Sequence, residues 1–146
     1  MSSGCINLSR NDEWVTPLGI YSQATLDFNI FPSLDVCATQ DNHKCPNFYT
    51  SEEDALTQEW KQDFFMNPPY SRVGNWVKKA YHEHLKWNVS ALALLFSKTD
   101  TQWWHEYIEN KAEIQFIKGR VRFLKNNIQS KHRAPYPSCW VVWRKK

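Results

Sequence analysis

Phe64-Phe65-Met66-Asn67-Pro68-Pro69-Tyr70 is the stretch whose reading decides the fold. An apolar run, read as a buried strand, stops at Asn67. Pro68 and Pro69 lack a backbone N–H and have a fixed φ, so no strand ladder continues through them. The residue before each proline is also pushed to extended geometry. The sequence therefore predicts a stiff loop at the carboxyl end of a strand, where open α/β sheets bind ligands. This loop offers the Asn67 amide, the carbonyls of Asn67 and Pro68, and the flat ring of Tyr70. The Asn67 side-chain oxygen and the Pro68 carbonyl both accept hydrogen bonds. An exocyclic –NH2 on a planar base brings two donors and a lone pair delocalised into its ring. Two acceptors would orient that amine and stabilise the charge it gains on attack. Tyr70 would stack on a base that has left its duplex. A Pro-Pro turn that only closes a strand has the same local sequence.

Outward from this loop the pattern alternates. Val73, Trp76, Val77, Ala80 and Leu85 predict an amphipathic helix over 72–87, with these residues inward and the lysines, His82 and His84 at the surface. Ala91-Leu92-Ala93-Leu94-Leu95-Phe96 reads as a strand buried on both faces. Thr99-Asp100-Thr101-Gln102 predicts a cap for a helix running to about Asn110. Residues 113 to 117 read as a strand, Gly119 as a turn, and Val121-Arg122-Phe123 as a returning strand. Residues 124–137 form a basic loop in this reading, and 138–143 close the sheet.

On the N-terminal side, residues 1–11 are polar and expected to be loose. Thr16 is a good N-cap and Pro17 a good first helical residue, predicting a helix over 17–28. Its N-terminus suits a carboxylate, and an ordinary capped packing helix fits equally. Leu34-Asp35-Val36-Cys37 reads as a short buried strand. Asp35 within it is costly unless paired, so it either accepts from a cofactor's amine or ribose hydroxyls or caps local backbone. Residues 38–62 are irregular and polar, with Trp60 in the core. Glu53 or Asp54 there would hold ribose hydroxyls or simply be solvated. Cys37, His43 and Cys45 match no structural-zinc spacing, so no metal site is expected. Strands alternating with helices predict an α/β sheet, largely parallel.

At 146 residues with 42% hydrophobic content, the chain is expected to be one domain with a real core. No apolar run approaches the ~20 residues of a membrane span, and no basic-then-apolar leader opens the sequence. The four cysteines, Cys5, Cys37, Cys45 and Cys139, form no C-x-x-C pair, so free thiols in a reducing cytoplasm are expected. Charge is uneven. Residues 1–110 hold 8 Lys and Arg against 14 Asp and Glu, a balance of −6. Residues 111–146 hold 10 against 1, a balance of +9. A basic end on an acidic domain points to a polyanion, or is a solvated tail.

Taken in order, the segments resemble the phage-type (Dam-like) DNA N6-adenine methyltransferases. The resemblance is carried by Glu13-Trp14, Thr16-Pro17, Leu34-Asp35-Val36-Cys37-Ala38, Lys44-Cys45-Pro46 and Asn67-Pro68-Pro69-Tyr70. It continues through Leu94-Leu95, Thr99-Asp100-Thr101, Trp104-His105, Gly119-Arg120, Phe123 and Ala134-Pro135-Tyr136-Pro137-Ser138. It spans roughly residues 12 to 143. It implies a class I, Rossmann-like fold that binds S-adenosylmethionine and methylates adenine N6 in double-stranded DNA. Asn67, Pro68, Pro69 and Tyr70 would then form the catalytic loop. Asp35, Cys37 and Ala38 would occupy the first cofactor motif, Trp14, Thr16 and Pro17 would flank the methionine end, and Asp54 would complete the cofactor set. DNA would lie on the basic segment 118–137, through Lys118, Arg120, Arg122, Lys125, Lys131 and Arg133. The chain departs from the usual pattern in having no glycine between Gly19 and Gly74, and the stretch from Asp35 to Asn67 is short, so an abridged sheet is expected. Asn-Pro-Pro-Tyr alone also suits enzymes acting on RNA guanine or protein glutamine, and an inactive DNA-binding relative is a further reading. The resemblance implies a phage or prophage protein acting in the cytoplasm of a bacterial cell. A monomer or weak dimer with short or relaxed sequence specificity is expected.

Overall fold

The computed structural model describes residues 14–125, 128–129 and 133–146. Among the described residues, three α-helices, α1 (Leu18–Phe28), α2 (Val73–Trp87) and α3 (Gln102–Tyr107), flank one six-stranded sheet. Its strands are β1 (Leu34–Asp35), β2 (Asn47–Phe48), β3 (Phe64–Met66), β4 (Ala91–Phe96), β5 (Glu113–Phe116) and β8 (Ser138–Trp143), in the order β2-β1-β3-β4-β8-β5. β6 (Leu124–Lys125) and β7 (Ile128–Gln129) form a separate two-stranded ribbon. The first four strands of the sheet are mutually parallel, and β8 runs antiparallel between β4 and β5. The sheet is thus largely parallel, as its apolar runs predict. Residues 138–143 fill an interior position in it rather than its edge, and all six are buried.

Strand alternation sorts the core onto two faces. Phe64, Met66, Ala91, Ala93 and Leu95 join Trp76, Val77 and Ala80 of α2 and Trp104 of α3. Phe65, Leu92, Leu94 and Phe96 join Tyr21 and Ala24 of α1 on the other face, with Val121 and Phe123. Helices on both faces explain why β4 is apolar at every position.

Several local expectations are corrected. Pro17 keeps φ −59° but has an extended ψ of 137°, so α1 starts at Leu18 and Thr16 does not cap it. Residues 38–62 contain the edge strand β2, too short and too polar to show a strand period. Val121–Phe123 is not a strand; the pairing falls on β6 and β7 instead. α3 ends at Tyr107, and Thr101 is its N-cap, accepting from the Trp104 N–H at 3.3 Å. On α2, Leu85 is exposed, whereas His84 is buried with its ring nitrogen 2.7 Å from the Val89 carbonyl. The helix stops at Asn88, whose left-handed φ of 50° turns the chain back and brings that carbonyl under His84. Local period alone could not report this closure.

Candidate active site

The sheet order reverses at β1. β2 lies on one side of β1 and β3 on the other, with Leu34 beside Phe64 and Asp35 beside Phe65. The crevice outside the carboxyl ends of β1 and β3 is therefore a topological switch point, the usual ligand position in such sheets. Asn67 to Tyr70 follow β3, and Val36 to Ala38 follow β1. The two motifs singled out in the sequence meet there.

At β3 the prolines end the strand. Pro68 is buried, and Pro69 leads into a single 3₁₀ turn over Tyr70–Arg72. The Asn67 amide nitrogen donates to the Trp14 carbonyl at 3.2 Å and to Thr16 Oγ1 at 2.9 Å. The segment holding those acceptors is pinned in turn. Val15 and Leu124 exchange backbone hydrogen bonds of 2.8 and 2.9 Å, tying residues 14–16 to the basic ribbon.

Tyr70 sits in an aromatic cluster. Phe96 stacks on its ring at 4.0 Å and 22°, Trp14 meets it edge-on at 6.1 Å, and Phe123 lies 6.4 Å away. Tyr136 packs on Phe96 and carries the Lys98 ammonium 4.1 Å above its ring. Phe96, Phe123 and Tyr136 pack around this candidate loop, and the sequence reading did not name them among its candidate site residues. Phe96 ends the strand beside β3, and that position is the signal that was available for it.

At β1 the Asp35 carboxylate and the N–H groups that follow it are all bonded within the protein. Asp35 is 2% exposed; its Oδ2 accepts from the Lys44 N–H at 2.9 Å and its Oδ1 from the Cys37 N–H at 3.2 Å. Burial pushes its carboxyl pKa up, and these two bonds pull it back. The Val36 N–H donates to Phe65 and the Ala38 N–H to Tyr49. Burial and the Asp35 carboxylate push the Cys37 thiol well above its ordinary range, and burial raises Cys45 to about 12 and Cys139 to about 11. None of the three is a ready nucleophile. His43 directs Nδ1 at the Cys45 carbonyl and stacks on Phe48. Asp54 is exposed, at a left-handed φ of 48°.

The resemblance implies S-adenosylmethionine as cofactor, and the turn after β1 bears on whether this chain can hold it. The cofactor carries a sulfonium and no phosphate, so it needs no nest of free N–H groups, and a turn without glycine whose N–H groups are internally bonded is compatible with it. No helix in the described residues is long and apolar enough to cross a membrane.

The basic residues divide. Lys118 and Arg133 are exposed and Arg122 is half-buried. Arg120 is tied down, its guanidinium donating to the Pro135 carbonyl at 2.7 Å and the Ala134 carbonyl at 3.4 Å. Lys125 is half-buried on β6. Lys131 lies outside the described residues.

The family model described as DNA N-6-adenine-methyltransferase (Dam) matches residues 5–146. The chain is 35% identical over 120 residues to the DNA N-6-adenine-methyltransferase of Haemophilus phage HP1 (strain HP1c1), covering 81% of this chain and 69% of that protein. It is 33% identical over 108 residues to the DNA N-6-adenine-methyltransferase of Escherichia phage T1, covering 73% of this chain and 44% of that longer protein. The chain belongs to the DNA N-6-adenine-methyltransferase (Dam) family.

Proposed function

We propose that the chain methylates the N6 amine of adenine in double-stranded DNA, on a base turned out of the duplex, with Asn67 and the Pro68 carbonyl as acceptors for that amine. The observation carrying this reading is the held amide of Asn67, whose nitrogen faces Trp14 and Thr16. An amide so held directs Oδ1 the other way, as an acceptor. S-adenosylmethionine, when bound, supplies an electrophilic methyl group, so direct transfer requires no covalent enzyme intermediate. Trp14, Pro17, Asp35, Cys37, Ala38 and Asp54 shape its site in this reading. Tyr70 stacks on the extruded base. The adenine amine is a weak nucleophile, and preorganised acceptors account for most of the rate enhancement.

DNA is held by phosphate contacts from Lys118, Arg122, Lys125, Lys131 and Arg133. Such contacts supply affinity without reading sequence, so specificity is short or relaxed. The 146 residues act as one methyltransferase domain, a monomer or weak dimer, in the cytoplasm of a bacterial cell carrying a phage or prophage.

The test is transfer of label from S-adenosylmethionine into DNA, RNA or protein, followed by digestion of the product. Label recovered as N6-methyladenine from DNA supports the reading. Label in RNA or in protein glutamine overturns the substrate, and DNA binding without any transfer points to an inactive relative.

A further inference from the structure

We propose that Thr16 is a positioning residue for the reaction, holding the Asn67 amide in the orientation that the Trp14 carbonyl selects, with its oxygen toward the target amine. The inference rests on the acceptor role of Asn67 proposed above.

An asparagine amide has two chemically opposite ends. Turned about its last bond, Asn67 would present N–H donors to an –NH2 group that is itself a donor, and the substrate would be repelled rather than held. Something must choose the orientation. The Trp14 main-chain oxygen is a carbonyl and can only accept, so the amide nitrogen, not the oxygen, must face it. Thr16 Oγ1, a hydroxyl able to donate or accept, takes the acceptor role in that orientation and is the closer partner, at 2.9 Å. Together they give the amide nitrogen two acceptors. Thr16 is 2% exposed, so water does not compete for this bond.

The location of Thr16 follows from the backbone. The extended ψ of Pro17 delays α1 by one residue, which releases the Thr16 hydroxyl from capping and leaves it beside the loop after β3. The paired bonds between Val15 and Leu124 hold the segment from its other side. Residues 14–16 thus act as a splint between the basic ribbon and the catalytic loop. The sequence motif Trp14 to Pro17 suggested contacts with cofactor, whereas the hydrogen bonds point to the catalytic amide.

The two assignments separate kinetically. A residue that touches cofactor affects cofactor affinity. A residue that sets the amide affects the chemical step, because misplacing a reacting group costs up to about 100-fold with binding intact. The experiment compares Thr16→Val, which keeps the shape and removes the acceptor, with Thr16→Ser, which keeps the acceptor, and with Asn67→Ala. For each, the single-turnover rate is measured at saturating DNA and S-adenosylmethionine. Cofactor affinity by calorimetry, DNA affinity by fluorescence anisotropy and the melting temperature accompany it. Thr16→Ala replaces Thr16→Val if the latter melts early.

The expected result is a rate about 10- to 100-fold lower for Thr16→Val, with both affinities within about 2-fold of the parent and Thr16→Ser within about 3-fold in rate. A normal rate in Thr16→Val beside an inactive Asn67→Ala overturns the role of Thr16 and leaves that of Asn67 standing. A loss confined to cofactor affinity makes Thr16 a cofactor contact instead. A normal rate in Asn67→Ala removes the underlying reading, and the inference falls with it.

Discussion

The carboxyl ends of β1 and β3 lie side by side and are built in opposite ways. At β1, the Asp35 carboxylate closes on neighbours two and nine residues away. At β3, Asn67 is held by partners 51 and 53 residues away, in a segment anchored to yet another part of the chain. A buried carboxylate that caps its own turn helps make a wall, fixed in shape before any ligand arrives. A side chain held by distant partners serves as a pointed group, with one end restrained and the other directed outward. The first arrangement suits shaping a cofactor site, and the second suits orienting a reacting atom.

Asp35→Ala probes the closed end and carries the largest expected effect on stability. It leaves two backbone N–H groups in a buried turn without their acceptor, each unsatisfied group costing about 1–3 kcal/mol. We expect a loss of about 3 kcal/mol in denaturant unfolding. Asp35→Asn keeps one acceptor and should fold better. If Asp35→Asn folds like the parent yet no longer binds S-adenosylmethionine, the carboxylate is a ligand and the contrast between the two ends breaks.

Tyr70→Ala probes the pointed end. A base stacked on an aromatic ring gains about 1–3 kcal/mol, so kcat/KM should fall by a corresponding factor of about 5 to 150. An unchanged kcat/KM would remove Tyr70 from base recognition and reduce the aromatic cluster to packing.

The basic segment, with Lys125 on the ribbon that anchors residues 14–16, is the next probe. Replacing Lys125 and Lys131 by alanine should flatten the slope of log affinity against log salt by about one unit per lost phosphate contact. Binding to all sequences should weaken alike. An unchanged slope would take these lysines off the DNA, and loss of a single preferred sequence would make them readers of bases.

The smallest effect belongs to a control far from both ends. Arg144 pairs with Glu113 at 2.6 Å and donates to the Phe28 carbonyl at 3.0 Å. The guanidinium holds the Glu113 carboxyl below its ordinary pKa. Its stabilisation is therefore present at neutral pH and disappears as pH falls through that lowered value. The pair is half-exposed, so Glu113→Gln should cost about 0.5 kcal/mol at pH 7, and less in acid. Activity should not change, as measured by label transfer at pH 7.

Much of this was legible in the sequence, for identifiable reasons. The apolar runs of β3 and β4, the prolines at 68 and 69 and the period of α2 are local signals, and the elements fall where they predict. β2 was not legible, because a two-residue edge strand shows no period. The burial of His84 depends on where Asn88 turns the chain, which no helical wheel reports. The site divides along the same line. Asn67 and Tyr70 announce themselves because two prolines fix the loop. The bond from Asn67 to Thr16 joins segments that meet only in the folded sheet, so no spacing encodes it. Thr16 has the look of a cap, and only the extended ψ of Pro17 shows that it is not one.

The most direct test of the account is the single-turnover methylation rate of Asn67→Ala on DNA, set against its calorimetric affinity for S-adenosylmethionine. Losing one preorganised polar contact of this kind costs about 10²–10³ in rate. The account predicts a fall of that size with cofactor affinity unchanged. A rate near that of the parent, or a loss lying wholly in cofactor affinity, would contradict it.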